Sequence, residues 1–368
     1  MQKPIKICYI LPEYNENTDS HFFHIYEFLE KLSRKLDIFL IVEKSETKDI
    51  KLTRRVYVQK FHFLPFRFLE SFFAILKARI FGYKIFYTHY CYIGGINAAI
   101  ISHLTRGKSY YWNCAMNWLF KQGKYSGMGY RLCLKFSHYL VTGSEEMKKG
   151  YASHYNLNPR RIKVMPNWIN LERFQNQKSQ PKAGPPRAEK PKTLLFVHWL
   201  SKRKGADMLV PVVKQLKNFK SQIPNFKLLV IGDGPHKEQL LKEIKENNLD
   251  NFIEVLGAVP NEKIVDYYGR ADIFIMPSME EGFPRVLLEA MASGVPYVAS
   301  DVGAVREISS ETAQRFLVKS GEVEKFAQKI QILLSDEKTY NQFKKEELEK
   351  VKEYSLDVIL NKFLDLFV

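Results

Sequence analysis

Residues 271–307 read ADIFIMPSMEEGFPRVLLEAMASGVPYVASDVGAVRE, and their pattern sets the fold. Asp272 to Met276 is a short apolar run of the kind that forms a buried parallel strand; Pro277 ends it, and a loop carrying Glu280, Glu281 and Gly282 follows. Phe283 and Pro284 open a helix, because the first helical turn does not need the N–H that proline lacks. Val286, Leu287, Ala290 and Met291 share one helical face, and Gly294-Val295-Pro296 stops the helix before a second strand at Tyr297 to Ser300. The predicted order is strand, loop, helix, strand. Such a loop places a helix N-terminus and backbone N–H groups at the carboxyl end of a strand, where open α/β sheets bind phosphorylated ligands. Glu281 and Glu289 bracket the place. Carboxylates repel phosphate, so this pair suits hydroxyl groups beside a phosphate. Alone, two such acids would read as a surface loop residue and an ordinary helix residue; the glycine, the proline and the strand-to-helix context favour a site.

Upstream, Thr193 to Leu200 has a buried-strand pattern, then Ser201-Lys-Arg-Lys-Gly205 turns into a helix from Ala206. Arg203 and Lys204 in that turn suit a diphosphate, since ammonium groups and a helix N-terminus both favour negative charge. Phe226 to Ile231 enters Gly232-Asp-Gly-Pro235, and Asn251 to Leu256 enters Gly257-Ala-Val-Pro260. Helices are expected near Glu324 to Leu334, at Lys338 to Tyr354 and over Leu356 to Val368.

In the first half, strands at Ile5 to Leu11, Asp37 to Val42, Val56 to Phe61, Lys84 to His89, Lys108 to Cys114, Tyr139 to Thr142 and Arg161 to Met165 alternate with helices at His21 to Leu36 and Ile93 to Leu104. That alternation implies a parallel, doubly wound sheet. His21 and His24 lie on the first helix, where histidines are more often structural than catalytic. Gln175 to Lys192 is polar, proline-rich and aperiodic, and is read as a linker.

A chain of 368 residues exceeds what one core usually organises, so two domains are expected. Cys8, Cys91, Cys114 and Cys133 have neither disulfide nor metal spacing and read as buried thiols of a reducing compartment. No signal-peptide pattern opens the sequence. Residues 1–180 hold 28 Lys and Arg against 13 Asp and Glu, whereas residues 181–368 hold 28 against 27. The net charge of +16 therefore sits almost wholly in the first half, which points to an anionic surface or polymer. Within it, PFRFLESFFAILKARIFGYKIFY (residues 65–87) can form a basic, aromatic helix with Phe66, Leu69, Phe72, Phe73, Leu76 and Ile80 on one face. Its charges interrupt any membrane span; the face either packs on the first sheet or lies in a membrane interface, and the charge asymmetry favours the interface.

Glu281-Gly-Phe-Pro284, Leu288-Glu-Ala-Met-Ala292, Gly294 and Pro296 together resemble the E-x7-E signature of retaining glycosyltransferases of the GT-B fold, family four. The resemblance implies two Rossmann-like, doubly wound α/β domains facing a central cleft. The N-terminal acceptor domain would be residues 1–174, with the linker at 175–192. A nucleotide-sugar donor domain would cover 193–354, and a final helix at 355–368 would cross back to the first domain. It implies that Glu281 contacts donor-sugar hydroxyls, Gly282, Phe283 and Pro284 supply backbone contacts, Glu289 binds the ribose, and Gly234 and Val259 line the nucleotide. Lys204 matches the family lysine; the family arginine position holds Trp199, leaving Arg203 or Lys202 as the second cation. A histidine usual after the fifth strand is absent, and Asn113 is the candidate in its place. Trp168 and Asn170 stand where glycine and aspartate are usual.

The sequence contains no Asp-x-Asp, so no metal and no cofactor is expected, and Lys204 with its neighbours is expected to offset the leaving-group charge. The expected activity is transfer of a hexose-type sugar from a nucleotide-diphosphate sugar to a lipid-linked or polysaccharide acceptor. Substitution on one face, assisted by the donor phosphate, is what the resemblance implies, rather than a Glu281 nucleophile. The expected setting is cytoplasmic, peripheral on the inner face of an anionic membrane, with no nucleic-acid partner. The alternatives are a sugar-nucleotide epimerase of the same fold and a non-enzymatic binder of an anionic polymer.

Overall fold

The computed structural model describes residues 4–15, 23–47, 49–119, 123–175, 191–219 and 225–367. The chain divides into two compact units, Met1–Pro166 with Leu360–Val368, and Asn167–Ile359.

The first unit runs β1 (Lys6–Leu11), α1 (Phe23–Ser33), β2 (Asp37–Val42), β3 (Arg55–Val58), α2 (Leu64–Ile80), β4 (Ile85–His89), α3 (Tyr92–Leu104), β5 (Lys108–Trp112), α4 (Lys124–Phe136), β6 (Tyr139–Thr142), α5 (Glu145–Tyr155) and β7 (Ile162–Val164). Its seven strands form one sheet in the order β3, β2, β1, β4, β5, β6, β7, every pairing parallel. Parallel strands are covered on both faces, which is why Ile7 to Leu11 and Ile38 to Val42 are apolar without alternation. Side chains still alternate between faces. Cys8, Ile10, Phe39, Ile41 and Phe86 meet Ala74, Ile75 and Ala78 of α2 and Ala98 and Ile101 of α3. Tyr9 and Tyr87 point the other way, onto Phe363, which also stacks edge-on against Phe28 of α1.

The second unit runs α6 (Leu171–Gln175), β8 (Lys192–Val197), α7 (Leu209–Asn218), β9 (Phe226–Ile231), α8 (Lys237–Glu246), β10 (Ile253–Gly257), α9 (Asn261–Arg270), β11 (Ile273–Met276), α10 (Arg285–Ala292), β12 (Tyr297–Ser300), α11 (Val305–Ile308), α12 (Glu311–Gln314), β13 (Leu317–Val318), α13 (Val323–Ser335) and α14 (Glu337–Lys350). The last helix, α15 (Leu356–Asp365), contributes its end, from Leu360, to the first unit. The six strands form a second parallel sheet in the order β10, β9, β8, β11, β12, β13.

Several expectations are corrected. The first unit ends at Pro166 rather than at residue 174, because Ile169 and Phe174 are buried in the second unit's core. Gln175 closes α6 and Lys192 opens β8, so the ends of the expected linker are structured; residues 176–190 lie outside the described residues. His21 also lies outside them, and His24 is buried on α1. Of the α2 face read from aromatic spacing, Phe72 and Leu76 pack against the first unit's core and the rest does not. The fully buried side is made of Glu70, Ser71, Ala74, Ile75 and Ala78, while Phe66, Leu69, Phe73 and Ile80 stay exposed. Glu70 tolerates burial because its carboxylate accepts from the Tyr57 hydroxyl and from the Lys60 and Phe61 amides. All four cysteines are buried and unpaired. Among the described residues no helix is long and apolar enough to cross a membrane.

Candidate active site in the second unit

β8 and β11 are paired neighbours, with Leu194 opposite Ile273 and Leu195 opposite Phe274, so the segments following Val197 and Met276 leave the same sheet edge side by side. Two glycines let them pack. Gly205 has φ +75°, and a Cβ there would lie 2.2 Å from the Pro277 carbonyl oxygen. Gly303, with φ +55°, would place a Cβ 1.8 Å from the Glu281 carbonyl oxygen. The neighbouring Ala304 amide donates to the Gly282 carbonyl at 3.0 Å, so the turn after β12 clamps the acidic loop from behind.

Glu281 is the centre of the resulting cluster. One carboxylate oxygen, Oε2, accepts from Lys204 Nζ at 2.7 Å, and Oε1 accepts from Ser278 Oγ at 2.8 Å and from His198 Nε2 at 2.9 Å. The tautomer follows from the second ring nitrogen: His198 Nδ1 accepts the Trp199 amide at 3.0 Å, so the proton sits on Nε2 and points at Glu281. Burial alone would raise the Glu281 carboxyl, but His198 and Lys204 outweigh it and hold the group at about 2. Burial likewise pushes the His198 imidazole below its ordinary 6.5, against the pull of Glu281. At neutral pH Glu281 is therefore a carboxylate and His198 a neutral imidazole.

The remaining expected residues are distributed as follows. Arg203 pairs with Glu280 at 2.8 Å, so the expected excess of cations in the turn is largely cancelled: Arg203 and Lys204 each face one carboxylate. Lys202 is exposed. The Gly282 carbonyl is held by Ala304, and the Phe283 carbonyl accepts from Asn167 Nδ2 at 3.0 Å. Among the described residues no protein acceptor meets the Gly282 or Phe283 amide. Pro284 is the residue before the first turn of α10, one position earlier than the first helical place expected for it. Glu289 is buried on the second turn and pairs with Arg285 at 3.3 Å. Gly234 lies in the turn after β9, where its amide donates to Asp233 Oδ1 at 2.7 Å and is not free for a ligand. Val259 is half-buried between β10 and α9.

Asn113 belongs to the first unit. Its Oδ1 accepts from the Ala115 amide at 2.8 Å and from the Tyr151 hydroxyl at 2.9 Å, and its Nδ2 approaches the Tyr111 hydroxyl at 3.5 Å. Both ends of Asn113 are thus engaged inside a buried network. Three residues of the cluster went unnoticed in the sequence. His198 directly follows β8, ahead of the lysine turn, Ser278 sits three positions before Glu281, and Gly303, which backs the acidic loop, lies three beyond the next strand. Position relative to strand ends was the available signal for all three.

Residues 177–350 match the model of the family described as glycosyl transferases group 1. The gpi3 subunit of phosphatidylinositol N-acetylglucosaminyltransferase of Schizosaccharomyces pombe is 31% identical over 161 residues, 44% of this chain and 33% of its own length. The 2-deoxystreptamine N-acetyl-D-glucosaminyltransferase of Niallia circulans is 28% identical over 173 residues, 47% of this chain and 42% of its own. The matched regions thus span less than half the length of either relative. The crystal structure of Anabaena Alr3699/HepE in complex with UDP-glucose superposes with a TM-score of 0.78 at 17% identity, over 99% of both chains, a likeness of fold. The likeness to the glycosyl transferases group 1 family thus runs through residues 177–350, and the two parallel sheets are those of the GT-B fold.

Proposed function

We propose that the protein transfers a hexose-type sugar from a nucleotide-diphosphate sugar to a lipid-linked or polysaccharide acceptor, with retention at the anomeric carbon. One observation carries the reading: Glu281, Lys204, His198 and two amides without protein acceptors among the described residues gather at the carboxyl edge of β8 and β11. Amides at the start of α10 suit an anion, and a carboxylate beside them suits sugar hydroxyls. The solved neighbour named with UDP-glucose supports a uridine nucleotide as the first donor to try. Glu281 held at about 2 is a weak base and a weak nucleophile, which favours positioning of the donor over covalent attack. Lys204, shared between Glu281 and an incoming diphosphate, and the exposed Lys202 would offset leaving-group charge. Glu289 is assigned to the ribose. Metal independence is kept as part of the proposal, on the missing Asp-x-Asp alone. The cationic first half motivates a lipid-linked acceptor at an anionic membrane surface.

A thermal-shift screen of nucleoside diphosphates and nucleotide sugars tests the reading, since a ligand that binds only the folded state raises the melting temperature. Stabilisation by a nucleotide sugar and release of free nucleotide only with acceptor present are expected. An isomerised donor formed without acceptor would instead establish an epimerase, and no stabilisation by any member would end the proposal.

A further inference from the structure

The helices on one side of the first sheet present an unusual outer surface. α2 and α3 are tied together by Asn97 Nδ2 donating to the Phe68 carbonyl at 3.0 Å and by Arg79 donating to Thr105 through Nε and Nη2, each at 3.0 Å. α3 and α4 are tied by His103 Nε2 donating to the Phe136 carbonyl at 2.9 Å. The three form one layer whose sheet-facing sides are filled, and its outer side carries Phe66, Leu69, Phe73 and Ile80, then Leu104, then Phe136. Phe73 and Ile80 are 62% and 76% exposed, and Leu104 is 75% exposed. Phe63, 66% exposed, meets Phe66 edge-on just before α2. Large apolar side chains scattered singly on a surface are ordinary, but a run of them along adjoining helices marks a contact surface.

Charge says what kind. Residues 50–144 contain 14 Lys and Arg and a single acid, Glu70, which is buried and hydrogen-bonded. Lys77 interrupts the α2 stripe, Arg131 and Lys135 flank Phe136, and Lys84 and Arg106 follow the ends of α2 and α3; all five are exposed, and none has an ion-pair partner among the described residues. We infer that this α2–α4 face lies on an anionic lipid bilayer, its Phe and Leu side chains in the interface and its cations among the headgroups. Aromatic and aliphatic groups at headgroup depth together with Lys and Arg are what an interfacial contact needs. A second copy of this face would meet its own positive charge, and a nucleic acid would neutralise the cations while leaving the apolar stripe in water. The inference rests on the proposed lipid-linked acceptor for its purpose, while the binding itself stands on this surface.

Flotation of the full chain with phosphatidylcholine vesicles, with and without phosphatidylglycerol, tests it. Flotation with the anionic vesicles, weakened by salt, is expected. Phe73→Gln/Ile80→Gln and Lys77→Glu/Lys135→Glu should each lower partitioning at least about tenfold, since one cation near an anionic surface is worth roughly a factor of five. Both variants should keep the parent's melting temperature and its shift with nucleotide sugar, so loss of flotation cannot be confused with unfolding or with failure of the transferase reading. The inference is overturned if the parent ignores anionic vesicles, or if both variants float like the parent. It is overturned equally if homopolymeric RNA binds where vesicles do not. A dimer in sedimentation that Phe73→Gln/Ile80→Gln converts to monomer, without lipid binding, would assign the face to a second copy.

Discussion

Lys204→Met would leave a buried carboxylate with one cation fewer, and removing one partner of a buried ion pair costs about 3–5 kcal/mol. Urea unfolding should show a loss of that order, and the Lys204→Met/Glu281→Gln double variant should lose less than the sum of the singles, because the two groups interact directly. The same cluster sets an acid limit. Glu281 is depressed in the folded state to about 2, so its contribution is complete above its ordinary value near 4.5 and disappears as pH falls from there toward 2. His198 is also depressed; the unfolded chain takes up its proton first, so stability begins to fall as pH drops through 6.5. Melting temperature measured from pH 8 downward should decline in two stages. His198→Gln should flatten the first stage, and Glu281→Gln the second. A His198→Gln profile that still bends at the upper stage would move that titration elsewhere.

At the scale of elements, the turn after β12 is what holds the acidic loop in place. Gly303→Ala would force an alanine into a left-handed conformation costing about 1–2 kcal/mol, with its Cβ against the Glu281 carbonyl. Nucleotide-sugar affinity, followed by calorimetry, should fall by more than the stability loss predicts at temperatures where the variant is fully folded, because the loop itself must move. α2 carries the opposite lesson. Its helical period was legible in the sequence, but period alone left the aromatic stripe either packed or bare, and the structure divides it: Phe72 and Leu76 turn inward while Phe66, Leu69, Phe73 and Ile80 stay exposed. The sheet-facing contact is made by Ala74, Ile75 and Ala78, and the two alanines let the helix approach a sheet already lined with Phe39 and Phe86. Hydrophobic periodicity finds the axis of such a helix and not which of its two sides is covered.

For the molecule as a whole, local patterning was enough to place twelve of the thirteen described strands within a residue or a few of where they lie in two parallel sheets. Strand runs, turn glycines and helix-opening prolines act over a few residues, so they can be read one segment at a time. The acidic signature at Glu281 and Glu289, the lysine turn and the uneven charge were legible for the same reason. What the sequence could not contain was partnership. Which cation faces which carboxylate, that His198 is neutral and aims its proton at Glu281, and that Asn113 is consumed by Tyr151 all depend on groups brought together from distant positions. The same holds for the bare outer face of α2, since exposure is a property of what the rest of the chain leaves uncovered. Short-range stereochemistry belongs to the string of residues; pairing, burial and titration belong to their arrangement in space.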